Sequence, residues 1–349
     1  LNFHLTKKTP TTSKELITSI DRKGSTNTLQ GFFQWNYRLN DKLTTNVGAH
    51  YLQLLLNNSL SLEPRASIKY AANSKFNVFA GYGLHSQIQP IGIYFSETTT
   101  SDGGKYRPNK HLDLSKAHHF IIGQDWNITN YTHIKTEVYY QHLFNVPISN
   151  DINNTYSILN SIDGFYTNPL INKGLGKNYG VELTLERFLN NNFYYLVSGS
   201  LYDSKYQASN GKWYNTQFNT NYALTVTMGK EWQLSEKYKN KIIGFNFKSV
   251  YVGGYRNTPI DLELSKEKRE TVWIENRAFE NRNPDYFRLD IRVSLKRNYK
   301  HLTSTLAIDI QNTTNRQNIG GQYFNVNSGT IKYWYQTPLI PILSYKLEF

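Results

Sequence analysis

The segment Asp285–Lys296, DYFRLDIRVSLK, leaves a chain few ways to fold. Side chains alternate across a strand, so Phe287, Leu289, Ile291, Val293 and Leu295 share one face. Arg288, Asp290, Arg292, Ser294 and Lys296 share the other. In a soluble sandwich the apolar face is core and the charged face meets water. In a transmembrane barrel the apolar face meets lipid and the charged face meets a wet lumen. One strand does not choose between these, but the number and spacing of its siblings do.

The alternation recurs along the chain. Phe33, Trp35, Tyr37 and Leu39 oppose Gln34, Asn36, Arg38 and Asn40, while Leu62, Ala66, Ile68 and Tyr70 oppose Glu63, Arg65, Ser67 and Lys69. Further on, Tyr179, Val181, Leu183 and Leu185 oppose Glu182, Thr184 and Glu186. Such segments number about fourteen, counting a partial one at Leu1–Lys8. Short polar links fall at Asn40–Lys42, Ala72–Ser74, Thr129–Tyr131, Asn190–Asn192, Ser235–Asn240 and Arg297–His301. Counted back from the C-terminus, these share one side. Long polar stretches at 90–113, 147–176, 257–284 and 313–333 share the other, and Asn210–Gly211 adds a hairpin signal before Tyr222. A sandwich has no reason to sort its connections by length, whereas an outer-membrane barrel does so. The expected fold is therefore all-β, a transmembrane antiparallel up-and-down β-barrel.

Composition narrows the function. No run of roughly eighteen apolar residues is present, which excludes a transmembrane helix and leaves barrel strands open. Tyrosine dominates the aromatics, with 27 against 18 Phe and 6 Trp, and a ring buried with its hydroxyl wet suits a membrane interface. The chain has no Cys, which removes disulfides, thiolate metal sites and Cys nucleophiles. A net charge of +13 is compatible with nucleic acid, but the basic residues are dispersed over strands and loops, so no nucleic-acid partner is expected. The chain starts at Leu1 without Met or a signal segment, and the expectation is a fragment or mature piece.

Catalytic and metal chemistry find little support. His118 and His119 are adjacent and point to opposite faces of a strand, and His111 nearby completes no ligand set. No GxSxG elbow marks a nucleophilic serine. Neither a catalytic set, a metal nor a cofactor is expected.

Leu343, Tyr345, Leu347 and Phe349 alternate to the last residue. A final strand ending on an aromatic residue resembles the C-terminal signature that the barrel-assembly machinery reads, carried here by Tyr345, Leu347 and Phe349. Several stretches resemble the C-terminal barrel of TonB-dependent receptors: SLSLEPRASIKY (59–70), YGLHSQIQP (82–90), NYGVELTLERF (178–188), GSLYDSKY (199–206), TPIDLE (258–263), PDYFRLDIRVS (284–294) and DIQNTTNRQN (309–318). The likeness is closest to the Bacteroidetes-type group with a carboxypeptidase-regulatory-like domain, and it covers nearly the whole chain from about Leu29 onward.

The resemblance implies a 22-stranded barrel closed around a plug, in the Gram-negative outer membrane. It implies energised uptake of an unidentified nutrient ligand, driven by a TonB-type inner-membrane complex acting through the plug. On this resemblance residues 1–349 are expected to correspond to the C-terminal portion of such a barrel, without the plug and first strands. Lipid and the assembly machinery are further expected partners. Glu63, Arg65, Glu182, Glu186, Arg288, Asp290 and Arg292 fall on lumen faces, where they contact the plug or simply pair across strands. Tyr106, Arg107, Phe165, Tyr166, Trp273 and Arg277 lie in the long loops and suit ligand contact. Three alternatives stand beside this reading: a complete 14-stranded passive pore, an outer-membrane hydrolase, and a soluble β-rich adhesin.

Overall fold

A computed structural model describes residues 2–10, 16–99, 102–162, 164–234 and 240–349. Leu1 of the expected first strand and 235–239 of an expected link lie outside the described residues. Strands β1 (Asn2–Pro10) and β2 (Leu16–Ser25) pair with each other as a hairpin. The wall then begins with β3 (Thr28–Arg38), β4 (Leu43–Leu54), β5 (Ser59–Ala71) and β6 (Phe76–Gln87). The connection that follows holds helix α1 (Ile91–Phe95) and the short pair β7 (Thr98–Thr99) and β8 (Lys105–Tyr106). Next come β9 (Ser115–Asn127), β10 (Thr132–Ser149), β11 (Leu170–Asn190), β12 (Phe193–Gln207), the small β13 (Trp213–Asn215), β14 (Tyr222–Gln233) and β15 (Lys241–Val252). A long connection with β16 (Arg256–Asn257), α2 (Leu262–Lys268) and β17 (Asn281–Arg282) leads to β18 (Tyr286–Asn298) and β19 (Thr303–Gln311). The hairpin β20 (Ile319–Asn325) and β21 (Thr330–Tyr335) precedes the final β22 (Ile340–Glu348).

One 14-stranded sheet runs in the order β3-β4-β5-β6-β9-β10-β11-β12-β14-β15-β18-β19-β22, with β13 joined to β12. Every long strand of this sheet pairs antiparallel with the next long strand in sequence, which is the up-and-down topology. Among the described residues, β3 and β22 do not pair with each other, so the sheet is open at both edges. No described helix is long and apolar enough to cross a membrane, and strands make the wall.

The tight end is built from local hydrogen bonds that the sequence supplies. Asn40 Oδ1 accepts from the backbone N–H of Lys42 at 2.9 Å and of Leu43 at 3.0 Å. Asn73 repeats this with Lys75 and Phe76, and Thr129 Oγ1 with Tyr131 and Thr132. Such side chains mimic a backbone turn. Asn191 and Asn192 carry φ of 52° and 60°, the paired left-handed conformation of a two-residue hairpin turn. Asn tolerates that region and a β-branched residue does not. We expect Asn192→Val to destabilise the barrel by about 1–2 kcal/mol, read as a lower temperature for losing the compact band on heat-modifiability gels; an unchanged temperature contradicts the turn geometry.

At the opposite end the first connection, residues 55–58, is a short turn. The connection expected at 147–176 is shorter, because β10 continues to Ser149 and β11 starts at Leu170. Pro147 and Gly174 read as strand breakers, yet they sit where the β10–β11 register shifts on either side of Val146, a bulge that tolerates both. A Cβ on Gly174 would collide with Ile148 Cγ2, so only glycine allows that approach. Asn210–Gly211 turns β12 into the small β13, not into β14.

The dry core lies at this loop end. Leu54, Ile93, Tyr94, Phe95, Leu112 and Leu170 form one buried cluster, and Tyr206, Ala208, Tyr214 and Ala278 another. Burial raises the Tyr94 hydroxyl to about 12. Along the wall the apolar side chains are exposed instead, among them Ile122 at 61%, Leu201 at 67% and Leu343 at 73%. An apolar wall surface with polar residues on its other face is the arrangement of a barrel in lipid.

Candidate functional site

Strand register assembles the polar face. Glu137 lies opposite Glu182, Lys248 opposite Asp290, Asn246 opposite Arg292 and Arg292 opposite Asp309. Glu63 lies opposite His50, and Arg65 opposite both Gly48 and Gly83. A cavity of about 1030 Å³ on this face is lined by His50, Arg65, His85, His119, Glu137, Gln141 and Glu182 among others.

The charges expected on this face are mostly paired. Glu63, 2% exposed, meets His50 Nδ1 at 3.0 Å and Arg65 Nη2 at 2.8 Å, and also accepts from Ser86 N at 3.1 Å and from the Ser86 hydroxyl. Arg288 Nε donates to Asp290 at 2.7 Å, and Asp290 also accepts from Asn312 N at 2.8 Å. Arg292 spans to Asp309 at 3.0 and 2.9 Å. Arg65 and Glu182 line the cavity; Glu186, Arg288, Asp290 and Arg292 share the face without lining it.

At the loop end a second cavity, of about 490 Å³, forms between four connections. Residues 150–169 contribute Tyr156 and Tyr166, whose rings stack at 3.7 Å, and residues 208–221 contribute Gln217. Residues 253–285 contribute Tyr255, Arg256, Asn257 and Trp273, and residues 312–339 contribute Gln322 and Trp334. Trp273 is fixed by a bridge to Ile260 and by the Ile274 N–H donated to Pro259 O at 2.9 Å. Trp334 projects from β21 across Gly320 and Gly321, where a Cβ on Gly320 would overlap the indole.

The two charges lining this cavity are engaged by the protein. Arg256 Nε donates to Asn219 O at 3.0 Å and Nη2 to Asn221 Oδ1 at 2.8 Å. Burial holds its guanidinium below the usual range, and Arg282 adds to that. Glu275 accepts from Thr155 N at 3.2 Å and from Thr155 Oγ1 at 2.7 Å. Asn257 donates to Asn283 at 2.6 Å, and Gln322 donates to Asn257 and Thr258 O. Beside the cavity, Asp285 accepts from the hydroxyls of Tyr222 and Tyr251, both at 2.6 Å, and these bonds with Arg282 hold its carboxyl below the usual range.

Of the six loop residues singled out in the sequence, the structure brings Tyr166 and Trp273 into this cavity. Arg107 instead lies 5.1 Å above the Phe95 ring and 4.0 Å from Glu97, while Phe165 packs on Gly92 of α1. Tyr106 is exposed on β8, and Arg277 forms a two-bond pair with Glu280 at 2.7 and 2.8 Å on the surface. That pairing holds Glu280 below the usual carboxylate range. Tyr156, Tyr255, Arg256 and Trp334 were not anticipated, since they come from three stretches far apart in sequence. At the C-terminus, Tyr345 and Leu347 are exposed on the outer side of β22, and Phe349 is exposed just beyond its end. No cluster of three or more metal-ligating residues occurs among the described residues.

The family described as TonB dependent receptor-like, beta-barrel matches residues 4–312. No curated protein matches the chain. Among solved structures, the ferric yersiniabactin uptake receptor FyuA from Yersinia pestis is similar with a TM-score of 0.62 at 12% identity, over 92% of this chain and 46% of that one. The ferric-catecholate import receptor Fiu from E. coli is similar with 0.62 at 13%, over 95% and 46%. The pyoverdine outer membrane receptor FpvA from Pseudomonas aeruginosa gives 0.62 at 13%, over 94% and 44%. At these identities the likeness is one of fold, and the chain spans less than half the length of the structures it matches. The 14-stranded sheet thus shares its fold with about half of each of these structures. Its place is the outer membrane of Gram-negative bacteria. The family is one of receptors and transporters, not of enzymes. With nearly nine-tenths of its length matched and a sheet of the corresponding topology, the chain belongs to the TonB-dependent receptor-like β-barrel family.

Proposed function

We propose that the chain is the ligand-binding and C-terminal wall portion of a TonB-dependent outer-membrane receptor that imports a nutrient without chemically altering it. The observation that carries this reading is the cavity between the long connections at one end of a family barrel wall, lined by Tyr166, Trp273 and Trp334. A ligand captured there sits above the polar face along which the wall presents Glu182, Arg65 and their neighbours. In the complete receptor a plug would occupy that face, and a TonB-type complex would supply the energy through it. The motifs at 59–70, 178–188 and 284–294 favour the Bacteroidetes-type subgroup. Exposed Tyr345, Leu347 and Phe349 suit recognition by the assembly machinery before the last strand is buried in lipid.

The passive-pore reading is disfavoured because β3 and β22 do not pair among the described residues, whereas a complete small barrel closes on itself. Uptake of a labelled ligand by cells carrying the full receptor tests the proposal. Uptake should stop when the TonB complex is deleted or the proton gradient is collapsed. Accumulation that persists under both conditions would instead mark a diffusion pore. Protease added to such cells should cut within 150–169 or 253–285 and spare Asn191–Asn192; the reverse pattern inverts the topology.

A further inference from the structure

The outer surface of the wall from β9 to β12 carries two ordered rows near its loop end. Strand register sets Tyr82, Phe120, Tyr140 and Tyr179 side by side across β6, β9, β10 and β11. Phe120, Tyr140 and Tyr179 are exposed on the lipid side. Such a row of aromatic residues marks a boundary between membrane and water. One step toward the loops, the register sets Leu84, His118, His142, Lys177 and Lys205 side by side. Lys116, two residues further up β9 and opposite Phe144, extends this second row.

The lysines of this row are positioned without being neutralised. Lys177 Nζ lies 4.5 Å above the Trp213 ring, a contact that places the ammonium and leaves its charge. Lys116 Nζ donates to the Leu60 carbonyl at 3.5 Å, which uses one of its three donors. Lys205 pairs with Asp203 at 3.1 Å, but that carboxylate also accepts from the Tyr179 hydroxyl at 2.9 Å and from Asn219 at 2.7 Å. The patch thus sets three cations against one carboxylate. Between them the rings of His118, His142 and Phe144 lie within 17° of parallel, a packed ledge that fixes the spacing.

The neighbouring sectors do not repeat this pattern. Toward β3 the rows continue as Ala66, Val47 and Trp35 and as Ala49 and Phe33, all apolar. Toward β15, Tyr222 and Tyr251 both donate to Asp285, whose charge Arg282 balances at 2.9 Å. Lysines that only stretch toward water at a membrane boundary have no reason to gather in one sector. A local positive patch directly above an aromatic row fits the phosphate of a lipid headgroup. At the loop end of an outer-membrane wall, that lipid is the phosphorylated glycolipid of the outer leaflet. We propose that Lys116, Lys177 and Lys205 bind the phosphate-bearing headgroup of one such lipid, lipid A, on the outer face of β9–β12. The inference goes beyond uptake: it needs the long connections to lie outside the cell, and neither a nutrient ligand nor a TonB complex.

The test is native mass spectrometry of the purified full receptor, stripped of lipid in detergent and then given lipid A, dephosphorylated lipid A or phosphatidylglycerol. The receptor should retain lipid A more tightly than either of the others. Lys116→Gln, Lys177→Gln and Lys205→Gln combined should weaken that binding roughly tenfold or more, the sum of a few-fold per lysine near an anionic surface. The corresponding triple arginine variant keeps the charge and should keep the lipid. Lys230→Gln removes an outward lysine at the tight-turn end, bonded there to Asn191 O at 3.1 Å, and should change nothing. Heat-modifiability of each variant separates a lost site from a lost fold. Equal retention of phosphatidylglycerol and lipid A, or an equal loss with Lys230→Gln, would reduce the patch to a general anionic belt and overturn the proposal. Lipid A binding that survives dephosphorylation or the triple glutamine substitution would overturn it as well.

Discussion

Ile122→Arg should destabilise the receptor in lipid vesicles by about 2–4 kcal/mol, as an arginine at the bilayer midplane does. Ile122 is 61% exposed on the outer surface of β9, with Val138 and Ala80 beside it in register. Its depth follows from its own strand. Trp126, edge-on to Phe76, lies four residues toward the tight turns, and His118, hydrogen-bonded to Tyr82 at 3.0 Å, lies four residues toward the loops. Eight residues at about 3.3 Å each, tilted by roughly 40°, cover about 20 Å of the membrane normal, which places Ile122 near the centre of the apolar band. On the other face, Glu182→Lys places opposite charges at the facing positions 137 and 182 and should shift stability by no more than about 0.5 kcal/mol. Guanidinium titration of both variants decides it. Equal effects, or a larger one for Glu182→Lys, would mean that the inner and outer faces are reversed.

The second expected result is that residues 1–349 by themselves form no stable channel. Strand β3 has 11 residues and β22 has 9, and each presents one edge without a partner among the described residues. Alternate backbone N–H and C=O groups along such an edge would face hydrocarbon at several kcal/mol each, on the order of tens of kcal/mol in all. Reconstituted in liposomes, the chain should give aggregates or erratic leaks. A uniform single-channel conductance would show that the wall closes, as would a disulfide formed in high yield between Gln34→Cys and Ser344→Cys.

The wall was legible in the sequence because two solvents impose one period. At Phe287–Lys296 every odd residue answers to lipid and every even one to the lumen, so alternation survives without any knowledge of partners. Legibility fails where the chain leaves the bilayer. Pro147 and Gly174 read as loop because breakers usually end strands, but above the membrane a bulged, twisted pair accommodates them. Strand β2, LITSIDRKGS, does not alternate strictly in sequence and left no pattern to read. The hairpin β20–β21 was hidden inside a polar stretch. The cavity is the hardest case, since Tyr156, Arg256 and Trp334 are far apart in sequence and meet only through loop packing. Of the residues chosen by type, Tyr166 and Trp273 line that cavity, while Arg107 and Arg277 spend themselves on Glu97 and Glu280.

Strand β11 has 21 residues, about 70 Å of extended chain, far more than the 9–11 residues or so that a tilted strand needs to cross a bilayer. Its upper portion, with Leu170, therefore belongs to the water-facing cap that also holds Leu54, Ile93 and Phe95. That cap is held by apolar burial from water, whose strength fades on cooling and carries a large heat-capacity change. The wall below has no such term, because its apolar side chains stay in contact with lipid. One polypeptide strand is thus shared by two thermodynamic regimes, and cold should loosen the loop-end cap while leaving the membrane-spanning ladder intact.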